Sequence, residues 1–161
     1  MKTAIVYYSL EGNAKYMAEQ IAAELDADLI ELIPEKSYPD SGAKKYFWGG
    51  KSVVFGEKPA LKPYIFDADN YDSLVFATPV WASNFTPPLR TFISENREKL
   101  SGKKLSLALC YMGGGAQKAE KKLKAFLGIE AFEAVLILVD PLKKKKDEDL
   151  EKIHAFCEKI R

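Results

Sequence analysis

Three short stretches carry residue types that could hold an anion and a flat ring. SLEGNA (residues 9–14) joins an apolar run to an amphipathic one and combines the Ser9 hydroxyl, Gly12 and the Asn13 amide. A helix that begins after such a turn has N–H groups without intrahelical partners, and these, with the helix dipole, attract a phosphate. TPVWASNF (78–85) sets the Trp81 indole between Pro79 and Asn84, a flat face for a planar heterocycle. YMGGGAQ (111–117) contains Gly113, Gly114 and Gly115, which leave room for a large ring and offer bare N–H groups to its polar edge. Taken alone, the first turn also reads as an ordinary strand-to-helix connection with Asn13 as N-cap.

The three loops together describe a site for flavin mononucleotide (FMN): a phosphate cradle, a stacking aromatic and a glycine floor. Glu11 is the discordant residue, because its carboxylate would repel the phosphate. The expectation is therefore that its side chain turns to solvent, that only its N–H faces inward, and that the dianion is held without any lysine.

Other chemistries find little support. GKS at 50–52 lacks the glycine that a P-loop needs five residues before Gly50, where Lys45 stands. GGGAQK has Lys118 in the sixth position and so is not GxGxxG. The third apolar run ends in Ala77 and Thr78, with no aspartate to accept a phosphoryl group. The only histidine, His154, falls on the last helix, which excludes a His-dependent triad. Asp67, Asp69 and Asp72 read as a solvated loop, and Cys110 and Cys157 as small buried hydrophobes without metal-ligand spacing.

The elements that must position these loops alternate regularly. AIVYY (4–8), DLIELI (28–33), SLVFAT (73–78), LSLALCY (105–111) and AVLILV (134–139) read as strands. Helical patterns follow them. The first helix has apolar Ala14, Met17, Ala18, Ile21 and Leu25. The next after strand three starts at Thr86 with Pro87 in its first turn and Leu89, Phe92 and Ile93 facing inward. Ala116, Ala119, Leu123 and Phe126 line a further helix that Gly128 can end, and Leu150, Ile153, Cys157 and Ile160 mark the last. Strands apolar on both faces imply a parallel sheet covered on both sides, an α/β three-layer sandwich. In such a sheet ligands bind beyond the carboxyl ends of the strands, where the three unusual loops fall. Residues 34–72 break the rhythm; one helix is expected near 41–54, packed onto the sheet by Phe47, Trp48, Val54 and Phe55, followed by an extended, proline-punctuated return.

The length of 161 residues suits one domain over 1–161, and 47% hydrophobic residues suffice for its core. Lys and Arg number 24 against 23 Asp and Glu, so no global field of the kind that marks nucleic-acid binders exists. KKKK at 143–146 reads as a solvated loop before the acidic start of the last helix. No stretch approaches the roughly 20 apolar residues of a spanning helix, and the opening shows no signal pattern, so a soluble cytoplasmic protein is expected, with no membrane or nucleic-acid partner.

On these motifs the chain resembles the flavodoxin family over nearly its whole length, and the insertion KKYFWGGKSVVFGEKPALKPY is similar to a bacterial subgroup of it. The resemblance implies a five-stranded parallel sheet in the order 2-1-3-4-5. It implies phosphate contacts from Ser9, Gly12 and Asn13 with Leu10, Glu11 and Ala14 in the same turn. It further implies flavin stacking by Trp81, a ribityl side lined by Thr78 and Pro79 with Val80 and Asn84 nearby, and a ring edge near Met112 and Gly113 to Gly115. Glu11 and Ala14 stand where the family often has threonines. The insertion from Glu35 to Tyr64 holds six lysines against three acids, unlike the acidic surface of many family carriers. The function implied is electron transfer by bound FMN to a redox protein or small acceptor, by a monomer or homodimer. The alternative is an NAD(P)H-dependent quinone or flavin reductase with Tyr46, Phe47, Trp48 and Trp81 roofing a second substrate. A third class, a cofactor-free interaction module, would follow if Glu11 and Ala14 abolish binding.

Overall fold

Each apolar run forms a strand in the computed structural model, which describes residues 1–39 and 42–161. The strands are β1 (Thr3–Tyr7), β2 (Asp28–Glu31), β3 (Ser73–Pro79), β4 (Lys104–Tyr111) and β5 (Val135–Val139). All neighbours are parallel and the order is β2-β1-β3-β4-β5, as expected. Tyr7 pairs with Ala77, and Ala77 with Ala108, so the carboxyl ends of β1, β3 and β4 reach one edge together. Strand order reverses between β1 and β3, the kind of switch point at which open α/β sheets bind ligands.

Helices cover both faces: α1 (Asn13–Leu25), α2 (Gly42–Val54), α3 (Pro87–Asn96), α4 (Ala116–Leu127) and α5 (Asp147–Ile160). Alternate strand residues sort into two cores because successive side chains of a strand point to opposite faces. Val6, Leu74 and Phe76 pack with Leu89 and Phe92 of α3 and Leu123 of α4. Ile5, Val75 and Leu136 pack with Met17 and Ile21 of α1 and Ile153 and Phe156 of α5. Full burial of one such side chain contributes about 1.5–3 kcal/mol, and Ile5, Phe76, Phe92 and Ile21 are completely enclosed. Gly128 ends α4 with φ 74°, the left-handed conformation that glycine adopts without steric cost. Thr86 precedes α3 in extended conformation with Pro87 next, but its hydroxyl bonds the Thr78 hydroxyl at 2.8 Å instead of capping the helix.

Two expectations about packing are corrected. Leu150 lies on the outer side of α5, 55% exposed, and Phe156 takes the inward place. Trp48, Val54 and Phe55 are likewise exposed and do not bind α2 to the sheet; the Phe47 and Tyr46 side chains lie outside the described residues. Buried Ser52 and Val53 face inward in their place. The Ser52 hydroxyl donates to Glu57 Oε2 at 2.6 Å and lies 3.0 Å from the Tyr38 hydroxyl. Lys44, Lys45 and Lys51 bracket a run of three consecutive aromatics at 46–48, positions that fall on different sides of a helix, so the pattern of α2 does not decide which face turns in.

The return from α2 is extended, as expected. It is pinned beside β2 by Glu35 N–H to Ala60 O (2.8 Å) and Lys62 N–H to Ile33 O (2.7 Å). Tyr64 then donates to Glu95 of α3 at 2.7 Å and accepts from Asn96 Nδ2. Among the described residues no helix is long and apolar enough to cross a membrane.

Candidate functional site

The turns after β1, β3 and β4 enclose a cavity of about 570 Å³ at the carboxyl edge of the sheet. That volume falls in the ordinary range for small-molecule sites. Ser9, Leu10, Glu11, Asn13 and Ala14 line it from the first loop, Pro79, Val80 and Trp81 from the second, and Met112 to Gly115 from the third. Three expected residues do not line it. Thr78 is fully buried and bonded to Thr86, the Asn84 side chain accepts the Phe85 N–H at 2.9 Å, and Gly12 shapes the turn from behind.

Gly12, not Asn13, is the N-cap of α1. Its φ of 100° is one that L side chains rarely adopt, and a Cβ there would lie 2.9 Å from Leu142 Cδ2. Its N–H donates to Ser9 Oγ at 3.1 Å, closing the turn. The first helical bond runs from Tyr16 N–H to Gly12 O, so the N–H groups of Asn13, Ala14 and Lys15 precede the helical ladder and remain suited to an anion. The Asn13 side chain is committed elsewhere: its Nδ2 donates to buried Asp140 Oδ1 at 3.0 Å and its Oδ1 accepts the Leu142 N–H at 2.9 Å. Its amide thus ties the turn to the loop after β5, with both its Nδ2 and its Oδ1 engaged by protein partners.

Glu11 departs furthest from expectation. Its carboxylate does not point to open solvent but pairs with the Lys45 ammonium of α2, both side chains being largely buried. Lys45, Gly49 and Gly50 form a fourth wall, so a cation stands at a site expected to have none. Glu11 and Lys45 are the only ionised side chains among the described lining residues.

Trp81 is held by packing. Its indole meets Tyr8 and Tyr38 edge to face, with centroids 5.6 and 5.2 Å away. A Cβ on Gly49 would touch three carbons of its six-membered ring at 3.4–3.7 Å, so the α2 backbone rests on the indole. Trp81 and Asn84 exchange two backbone hydrogen bonds of 2.9 Å across Ala82 and Ser83, whose φ values are 47° and 57°. This is a two-residue turn of the kind that favours Asn-Gly, built here from residues that enter the left-handed region at a cost. Ser83→Gly should therefore raise stability by about 0.5–1 kcal/mol in equilibrium urea unfolding, since the left-handed penalty exceeds glycine's entropic cost. An unchanged or lower midpoint would show that the turn carries no such strain.

In the third loop, a Cβ on Gly113 or Gly114 would meet nothing within 4 Å, whereas Gly115 is closely covered. Among the described residues, no atom fills the space beside these two glycines. Burial pushes the Cys110 thiol up to about 12, so this lining residue stays protonated and is no nucleophile at neutral pH. Among the described residues the arrangement offers anion binding at one end and a flat apolar slot at the other.

Ala82, Ser83, Cys110, Tyr111 and the three α2 residues complete the wall beyond those read from the sequence. The first four neighbour the motifs directly, whereas nothing local to Lys45 marks it as part of a site formed 34 residues earlier.

The flavodoxin family profile matches residues 2–152. Among solved structures, a Lactobacillus acidophilus flavoprotein in complex with FMN is 21% identical with a TM-score of 0.71, over 88% of this chain and 95% of that one. A provisionally named flavoprotein from Bacteroides eggerthii is 19% identical with a TM-score of 0.78, over 98% and 96%. Two-electron reduced Megasphaera elsdenii flavodoxin is 17% identical with a TM-score of 0.59, over 98% and 99%. These identities carry likeness of fold, while the profile spans nearly all the elements described above. The chain belongs to the flavodoxin family.

Proposed function

We propose that the chain binds FMN in the cavity at the carboxyl edge and serves as an electron-transfer protein. The observation that carries this reading is the meeting, in one cavity, of the free helical N–H groups of α1 with an open glycine loop and the Trp81 indole. The residues present fit the group. The α1 amides and Ser9 suit the phosphate, Pro79 and Val80 the ribityl chain, and Trp81 with Met112 to Gly114 the ring. FMN, when bound, supplies the redox chemistry at its ring. The chain's part is to bind it, shield it from water and set the field around it with the Glu11–Lys45 pair. The unpaired, buried Cys110 and Cys157 suit a reducing compartment such as the cytoplasm.

Trp81→Ala should weaken FMN binding by about tenfold to a hundredfold, the range for loss of one aromatic stacking partner. Isothermal titration would show it, and unchanged affinity would remove Trp81 from the ring site. The carrier reading is favoured over the reductase reading because Trp48, one of the residues expected to roof a second substrate, lies outside the cavity wall with Lys51 over its ring at 5.0 Å. Anaerobic mixing of FMN-loaded protein with NADPH separates the two. A flavin absorbance that persists supports the carrier, and rapid bleaching by stoichiometric NADPH would establish the reductase.

A further inference from the structure

The Glu11–Lys45 pair joins the anion-binding turn to helix α2 in the wall of the cavity. Resting on the FMN reading, we propose that Lys45 is the residue by which this site selects phosphorylated flavin over riboflavin. Glu11 alone would add a negative charge to a turn that must receive a dianion, and the α1 dipole offers only about half a unit of positive charge against it. Lys45 reverses that balance. Its ammonium pairs with the carboxylate, and the other described side chains that line the cavity are uncharged.

The placement of Lys45 is fixed by packing and does not depend on the ion pair alone. One helical turn further along α2, Gly49 rests on the Trp81 ring, which Tyr8 and Tyr38 hold from the side. The helix that approaches the ring end of the site thereby delivers a cation to the phosphate end. Both side chains of the pair are shielded, at 17% and 22% exposure, so bulk water screens their field less than at an open surface. Lys45 is accordingly a positioning and specificity residue of the binding site, with no part in redox chemistry.

The test is titration of the apoprotein with FMN and separately with riboflavin, following quenching of flavin fluorescence, for the native chain and for Lys45→Met, Lys45→Arg, Glu11→Gln and the double variant Glu11→Gln/Lys45→Met. Lys45→Met leaves the Glu11 carboxylate without this ammonium beside the phosphate turn, so it should weaken FMN by about tenfold to a hundredfold while changing riboflavin by less than about threefold. Lys45→Arg should retain the preference, Glu11→Gln should strengthen it, and the double variant should bind FMN more tightly than Lys45→Met alone. The salt dependence of FMN binding should flatten in Lys45→Met. Equal losses for both flavins would make Lys45 a mere anchor for α2 and overturn the proposal. Native protein that binds both flavins with equal affinity would overturn it while leaving the flavin site intact. Native protein that binds neither would overturn the FMN reading and this proposal with it.

Discussion

Gly115→Ala is expected to lower stability by about 2–5 kcal/mol, and FMN affinity with it. Two independent costs combine in that figure: about 1–2 kcal/mol for a side chain in left-handed conformation and about 1–3 kcal/mol for overpacking. Gly115 has φ 86°, and a Cβ there would lie 2.5 Å from Ser83 Oγ and 3.0 Å from Ser83 Cα. The hydroxyl can rotate away, but the backbone atom belongs to the strained turn behind Trp81 and can move only by opening it. Gly113→Ala is the matched control. Gly113 has no positive φ and no neighbour in reach, so its stability change should stay within about 0.5 kcal/mol. Its new methyl would occupy space assigned to the ring, so FMN should bind more weakly all the same. Urea midpoints and flavin titrations on the two variants check both statements; a neutral Gly115→Ala would mean that the second and third loops are not wedged together.

Asn13→Leu is expected to cost about 2–5 kcal/mol, because it strands two polar groups at once. Asp140, only 6% exposed, would lose the Asn13 Nδ2 donor, and the Leu142 N–H would lose its acceptor. A buried carboxylate without a partner is the larger of the two penalties. Adding Asp140→Asn removes that charge while keeping a residue that tolerates φ near 44°, so the double variant should recover part of the loss. Strict additivity in urea unfolding would show that the two side chains act independently. FMN binding should weaken in Asn13→Leu, since the amides of the first turn are held in place by this link to the loop after β5.

The strand positions were legible because a sheet buried on both faces demands continuous apolar runs, and AIVYY or SLALCY admits little else. The cavity's location followed from that, through the rule about carboxyl ends. What remained hidden depends on distances that local patterns do not encode. Glu11 and Lys45 meet only because α2 lies over the first turn, and Asn13 finds Asp140 at a separation of 127 residues. Thr78 and Asn84 carry polar side chains beside a ligand loop, yet backbone direction turns both inward to Thr86 and the Phe85 N–H. The turn at Ala82–Ser83 lacks the Asn-Gly signature that usually marks its conformation, so its geometry had no signal in composition. Trp48, Val54 and Phe55 look like an inward stripe but are exposed, while Ser52 faces in to bond Glu57 and meet Tyr38.

The most direct measurement is equilibrium titration of the purified, flavin-free chain with FMN, followed by visible absorbance and fluorescence, with Trp81→Ala alongside. The account predicts saturable one-to-one binding, a shifted flavin spectrum, and weaker binding by the variant. Absence of saturable binding to the native chain, or binding that Trp81→Ala leaves untouched, would contradict the assignment of this cavity to FMN.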